Sequence, residues 1–131
     1  GECDVAIINH YYYGKLTYSK NPDHRKWAKA SIIVFPNQGN SDRGAHVNIS
    51  GGGVVKFSKN KEIAINFLEF LVTDQAQVMY GDVNFEYPIN NKSKLPKRLK
   101  ALGTFKEDNL LIEKIAKLAP KAQEIIDKVY W

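Results

Sequence analysis

The chain has 131 residues, 44% of them hydrophobic, with nineteen Lys and Arg against fourteen Asp and Glu for a formal net charge of +5. That is enough apolar material for one compact domain with a real core, and the lone Cys3 excludes an internal disulfide. No apolar run reaches the roughly eighteen residues of a helical membrane span; the best candidate, "IAINFLEFLV", is interrupted by Asn66 and Glu69.

The positive charge favours anionic partners without identifying one. The lysines fall mainly in Asn21 to Lys29, Lys56 to Lys61 and Lys92 to Lys106, without the arginine richness or aromatic interleaving of a nucleic-acid surface, so no nucleic acid is expected. The sequence runs from Gly1-Glu2-Cys3 straight onto Val5-Ala6-Ile7-Ile8, with no start Met or signal-peptide pattern, and a fragment of something longer is expected.

In chain order, "CDVAIINH" reads as a buried strand, with Cys3 beside it as a small core residue. "YYYGKLTYSKN" reads as a short helix leaving the strand's carboxyl end and finishing at Pro22. "ASIIVFPNQG" is a second expected strand halted by Pro36, and "NQGNSDRG" a polar turn-rich loop. "HVNISGGGVVKF" alternates as a strand, passes three glycines and resumes at Val54-Val55. Those glycines predict close packing or hinge geometry; they lack the Lys-Ser/Thr ending of a phosphate loop.

From Lys59 the period becomes helical, with Ile63, Phe67 and Phe70 or Leu71 on one stripe and Lys61, Glu62 and Asn66 around the other side. Thr73 is expected to cap "DQAQVMYG", with Asp74 in its first turn and Gly81 closing it. "NFEYPINN" is extended because Pro88 biases Tyr87 away from helical geometry. "LPKRLKALGTF" is a short helix with Pro96 in its first turn. "NLLIEKIAKLAPKAQEIIDKVYW" is a final helical segment that Pro120 bends or divides. Strand, helix, strand, strand and then several helices amount to an α/β organisation.

"NHYYYG", Asn9 to Gly14, carries the chemistry. In a regular strand Tyr11 and Tyr12 would face opposite ways. On the first turn of a helix they stand about 100° apart, and their long rings can converge on one point. A phenol has a pKa near 10, so a site using two as anionic oxygen ligands needs a hard, highly charged cation, and ferric iron fits better than zinc. Aromatic packing around a strand end is the competing reading. His10 is either hydrogen-bonded or a ligand, His24 a surface residue, and His46 structural or part of a ligand cleft. No spacing argues for a catalytic triad or paired carboxylates.

"CDVAIINHYYYGKL", "VFPNQGNSDRGAHVNISGGGVVKFSKNKEIAINFLEFLVTDQAQVMY" and "NFEYPINN" together resemble the carboxyl-terminal part of the ferric-iron-binding periplasmic proteins that deliver Fe³⁺ to ABC transporters. The resemblance runs from about Cys3 through Asn91 and loosely beyond. It implies a periplasmic, non-enzymatic protein of two-lobed type II solute-binding fold, α/β in class. Residues 1–131 would then be its carboxyl-terminal part, including segments near the inter-lobe hinge, with the amino-terminal portion absent.

Matching the Asn-x-Tyr-Tyr motif makes Tyr11 and Tyr12 the implied Fe³⁺ ligands. Tyr13 becomes a packing or supporting residue, and Asn9 a cleft-forming neighbour. Further ligands in such proteins come from segments that precede this one, and a carbonate-like synergistic anion can complete the set. The implied partners are ferric iron, an ABC transporter permease and the missing amino-terminal portion or lobe, with membrane contact only through the transporter. A solute-binding protein for another small ion or organic solute, or a small basic protein-interaction domain, are the alternatives.

Overall fold

The computed structural model describes residues 3–130. Six helices form among them: α1 (His10–Thr17), α2 (Pro22–Lys29), α3 (Lys61–Leu71), α4 (Asp74–Val83), α5 (Lys97–Lys100) and α6 (Ile112–Lys128). The chain divides into two compact units rather than the single domain its length suggested. One is Gly1–Val34 with Ile49–Thr104, the other Phe35–Asn48 with Phe105–Trp131.

The expected α/β organisation is overturned. Among the described residues there is no strand, and the one β-type pairing is an isolated parallel bridge between Ala45 and Glu107. A run of Val and Ile reports an extended, apolar segment, whereas a strand requires a neighbouring backbone to receive its N–H and C=O groups. "CDVAIINH", "ASIIVF" and "HVNISGGGVVKF" are non-helical here, but none forms a ladder with another. Most of their apolar residues lie open, Val5 83%, Ile7 80% and Ile32 84% exposed, while Ile33, Phe35, Val47 and Val54 are half-buried. Cys3, expected in a core beside the first strand, is accordingly an exposed free thiol. Of the three glycines only Gly52 is closely approached, a Cβ there sitting 3.0 Å from Leu68 Cδ2, whereas one on Gly51 or Gly53 would meet nothing.

The helices follow local chemistry. α2 starts where the Asn21 side chain accepts the Asp23 N–H at 2.9 Å, with Pro22 in the first turn, where a missing N–H costs nothing. α4 starts at Thr73, whose hydroxyl accepts from the Ala76 N–H. Gly81, expected to end α4, lies inside it and is small for another reason: a Cβ there would sit 2.8 Å from Pro96 Cγ. α6 continues through Pro120 without division. The last residue of that predicted segment, Trp131, lies outside the described residues.

In the first unit the core is Phe85, Leu99 and Leu102, with Tyr11, Tyr13, Tyr87 and Leu95 packed against it. Burying each such Leu or Phe contributes on the order of 1.5–3 kcal/mol. Gln77, buried on α4, donates to the Leu71 carbonyl at 2.7 Å and accepts the Ile89 N–H at 2.9 Å, tying the helix to the extended segment before it joins Pro96. Ser93 donates to Asp74 at 2.5 Å, and the Tyr87 hydroxyl donates to the Gly103 carbonyl at 2.7 Å. α1 and α2 are bridged by the Tyr13 hydroxyl, placed 3.3 Å from both the Ala28 and Ser31 carbonyls.

The second unit is held by polar pairing. Ala45 N–H donates to the Lys106 carbonyl at 2.8 Å and Asp108 N–H to the Ala45 carbonyl at 2.9 Å. The Gln38 amide grips both backbone groups of Lys106, at 2.7 and 3.1 Å. Arg43 pairs with Asp108 at 2.5 Å, and Phe35 stacks on Phe105. Gly44 has φ 100° and its Cα faces the Glu107 carbonyl carbon so closely that a Cβ would be 2.5 Å away, so the bridge needs glycine there.

Candidate functional site

α1 is the helix that displays the tyrosines. Its N-cap, Asn9, is extended, with φ −71° and ψ 134°, but its side chain caps nothing. The amide Nδ2 instead donates to the Tyr11 hydroxyl at 3.0 Å. The helix begins at His10, one residue before the predicted start.

Successive helical residues turn by about 100°. His10 faces the core segment, where its Nε2 lies 2.6 Å from the Phe85 carbonyl. A carbonyl only accepts, so Nε2 carries the hydrogen. Its ring also packs on Tyr87, with centroids 5.0 Å apart, and burial pushes its pKa below the ordinary imidazole value. Tyr13, most of a full turn on, comes round toward α2, which agrees with a packing role. Tyr12 points away and is 51% exposed.

Tyr11 and Tyr12 are brought side by side, their ring centroids 4.5 Å apart and their planes at 47°. Lys15 Nζ lies 5.2 Å from the Tyr11 ring centre, one turn further along the helix. The Tyr11 hydroxyl raises the pKa of Tyr12, first by hydrogen bonding to its protonated form and then by charge. Two phenolates so placed would repel each other, and a cation between them would relieve that repulsion. The donor set fits a hard trivalent ion in kind and is short in number. Among the described residues no three His, Cys, Asp or Glu side chains gather where they could hold a metal.

The other histidines stand apart from this pair. His24 is half-buried in α2, with Nδ1 3.1 Å from the Ser19 hydroxyl and its ring against Trp27. His46 is exposed. Two hollows elsewhere include neither Tyr11 nor Tyr12. One of about 460 Å³ is lined by Arg43, Asp108, Asn109, Leu110, Lys114 and Leu118. The other, about 250 Å³, runs beside α4 between Phe70, Met79, Tyr80 and Val83.

Two residues that shape this site escaped the sequence reading. Phe85 adopts φ 61°, a left-handed conformation that non-glycine residues rarely take, and nothing in "VNFEYP" signals it. Gly14 lies against the Phe85 ring, where a Cβ would come within 2.6 Å of Cγ. A glycine inside a predicted helix was the available sign of such an approach.

No protein-family model matches the chain. Individual proteins do. It is 38% identical over 131 residues to iron uptake protein A1 of Synechocystis, covering all of this chain and 36% of that protein. Among solved structures, the ferric binding protein from Campylobacter jejuni superposes with a TM-score of 0.83 at 42% identity, over 95% of this chain and 39% of its own. A Trichodesmium protein in complex with iron and citrate gives 0.84 at 42% identity with the same coverage. The chain thus spans less than two fifths of the length of these relatives.

Proposed function

Because the chain matches ferric-iron-binding periplasmic transport proteins along nearly its whole length, we propose that residues 1–131 are the carboxyl-terminal part of a periplasmic solute-binding protein, with segments near an inter-lobe hinge. That protein binds Fe³⁺ as cargo and delivers it to an ABC transporter permease, and it is not an enzyme. Tyr11 and Tyr12 are its ligands from this chain.

The observation that carries the reading is the Tyr11–Tyr12 pair on the first turn of α1, rings in contact and Tyr12 open to solvent. Two adjacent phenols are a poor site for a divalent ion, which does not displace phenol protons at neutral pH; a ferric ion does. Two oxygens do not complete its coordination. The remaining donors come from an amino-terminal portion of the complete protein, and from a small anion. The presence of citrate together with iron in the Trichodesmium complex supports an oxygen-rich anion in that role; a carbonate-like anion is the companion proposed here.

The test is Fe³⁺ transfer from a defined citrate competitor to the complete native protein, with Tyr11→Phe and Tyr12→Phe in parallel. Each variant keeps its ring and loses its oxygen. Wild type should develop the visible charge-transfer absorption of tyrosinate bound to Fe³⁺, and each variant should lose affinity and intensity. Unchanged absorption and affinity in both variants would refute phenolate ligation and point to another solute.

A further inference from the structure

His10, Gly14 and Tyr18 recur at four-residue intervals, so they share one face of α1 and its C-cap. All three meet one residue. The His10 Nε2–H donates to the Phe85 carbonyl at 2.6 Å, Gly14 lies against the Phe85 ring, and the Tyr18 ring stacks on it at 5.5 Å with an interplanar angle of 13°. Phe85 is a firm anchor: it is 4% exposed and held at φ 61° by its surroundings.

Gly14 and Tyr18 fix the middle and the end of α1 by ring contact, and Tyr13, packed on the core and bonded to the Ala28 and Ser31 carbonyls, fixes its α2 side, which leaves the start of the first turn as the part whose rotation is still to be set. Asn9 does not determine it, because its side chain makes no cap and is committed to the Tyr11 hydroxyl. The directional bond from His10 does. Tyr11 and Tyr12 stand about 100° and 200° around the helix from His10. With side chains a helix has a radius of about 5–6 Å, so a roll of about 10° moves an atom at the rim by about 1 Å. Binding constellations tolerate about half that.

We propose that His10 is a positioning residue for the Tyr11–Tyr12 pair, acting through its hydrogen bond to the Phe85 carbonyl and not as a ligand. The inference rests on the reading of Tyr11 and Tyr12 as ferric ligands. The bond sets the rotation of the first turn, and with it the place where the two phenol oxygens present themselves to Fe³⁺.

The experiment compares His10→Gln, whose amide nitrogen can replace the Nε2 donor, with His10→Leu, which keeps bulk and has no donor. Both are made in the complete native protein, beside wild type, Tyr11→Phe and Tyr12→Phe. Ferric affinity is read by citrate competition, the charge-transfer band by visible absorption, and apo-protein stability by thermal unfolding. His10→Leu should lose about 10–100-fold in affinity, the range for residues that orient metal ligands, and shift the band. His10→Gln should recover most of the affinity and return the band toward wild type.

Loss of band and affinity in the tyrosine variants with no change in His10→Leu overturns the positioning role and leaves the ferric reading intact. An equal loss in both His10 variants also overturns it, because a donor restored in place has then restored nothing. If neither tyrosine variant changes, the ferric reading itself falls and the inference with it. Should His10→Leu fail to fold, His10→Gln decides: less than a tenfold loss sustains the role, and a larger loss overturns it.

Discussion

Gly14→Ala should destabilise the protein, although alanine is the better helix former. In an unencumbered helix interior the exchange stabilises by about 1 kcal/mol. Here the new Cβ would lie 2.6, 2.8 and 3.0 Å from Phe85 Cγ, Cδ1 and Cβ. Those are atoms near the root of a buried ring, and the ring cannot swing aside. Tyr18 stacks on it, its backbone is held in the left-handed region, and His10 binds its carbonyl. Forcing a methyl into such a site costs about 1–3 kcal/mol, and three sub-contact distances against an immobile group put the cost at the upper end. The net expectation is a loss of about 2 kcal/mol. Gly51→Ala and Gly53→Ala are the controls, since neither Cβ meets any atom and neither glycine has positive φ. Denaturant unfolding should show a lower midpoint at unchanged slope for Gly14→Ala and no loss for the controls. A Gly14→Ala protein as stable as wild type would refute the idea that Phe85 is a fixed anchor for α1.

Gln77→Leu should cost about 2 kcal/mol in the same assay, because it strips the Leu71 carbonyl and the Ile89 N–H of their side-chain partner in one step; a change under about 0.5 kcal/mol would show that water replaces the amide freely. Tyr87 is a half-buried titrating group with a stability consequence at high pH. Burial raises its pKa above the ordinary phenol value, so the folded state holds the proton that the unfolded chain releases near pH 10. Its contribution is fully present below about pH 10 and is lost as pH rises through the folded value. Tyr87→Phe should therefore unfold with a flatter alkaline limb than wild type in thermal melts between neutral and strongly alkaline pH; identical limbs would contradict the assignment.

Helices were largely legible in the sequence because their signals are local. The apolar stripe from Ile63 to Leu71 and the Thr73 cap each lie within a few residues of the structure they specify. α2 carries an equally local signal, since Asn21-Pro22-Asp23 is a helix start and Pro22 opens α2 as well as closing the segment before it. The strands failed for a non-local reason, since an apolar run carries no information on whether another backbone lies beside it. At the site, the adjacency of Tyr11 and Tyr12 follows from their places in the sequence. The bond from His10 to Phe85 spans 75 residues and ends on a backbone carbonyl, a group every residue possesses, so no residue identity could announce it.

The second unit joins residues far apart in order of synthesis. Gln38 and Arg43 find their partners Lys106 and Asp108 only after a further 68 and 65 residues have been added. At about 5–20 residues per second, the early segment waits for several seconds without the partners that Lys106 and Asp108 supply to Gln38 and Arg43. A waiting segment of apolar residues would invite pairing with other nascent chains. "NQGNSDRG" is instead polar, charged and glycine-broken, a composition that water can hold open until Lys106 and Asp108 emerge.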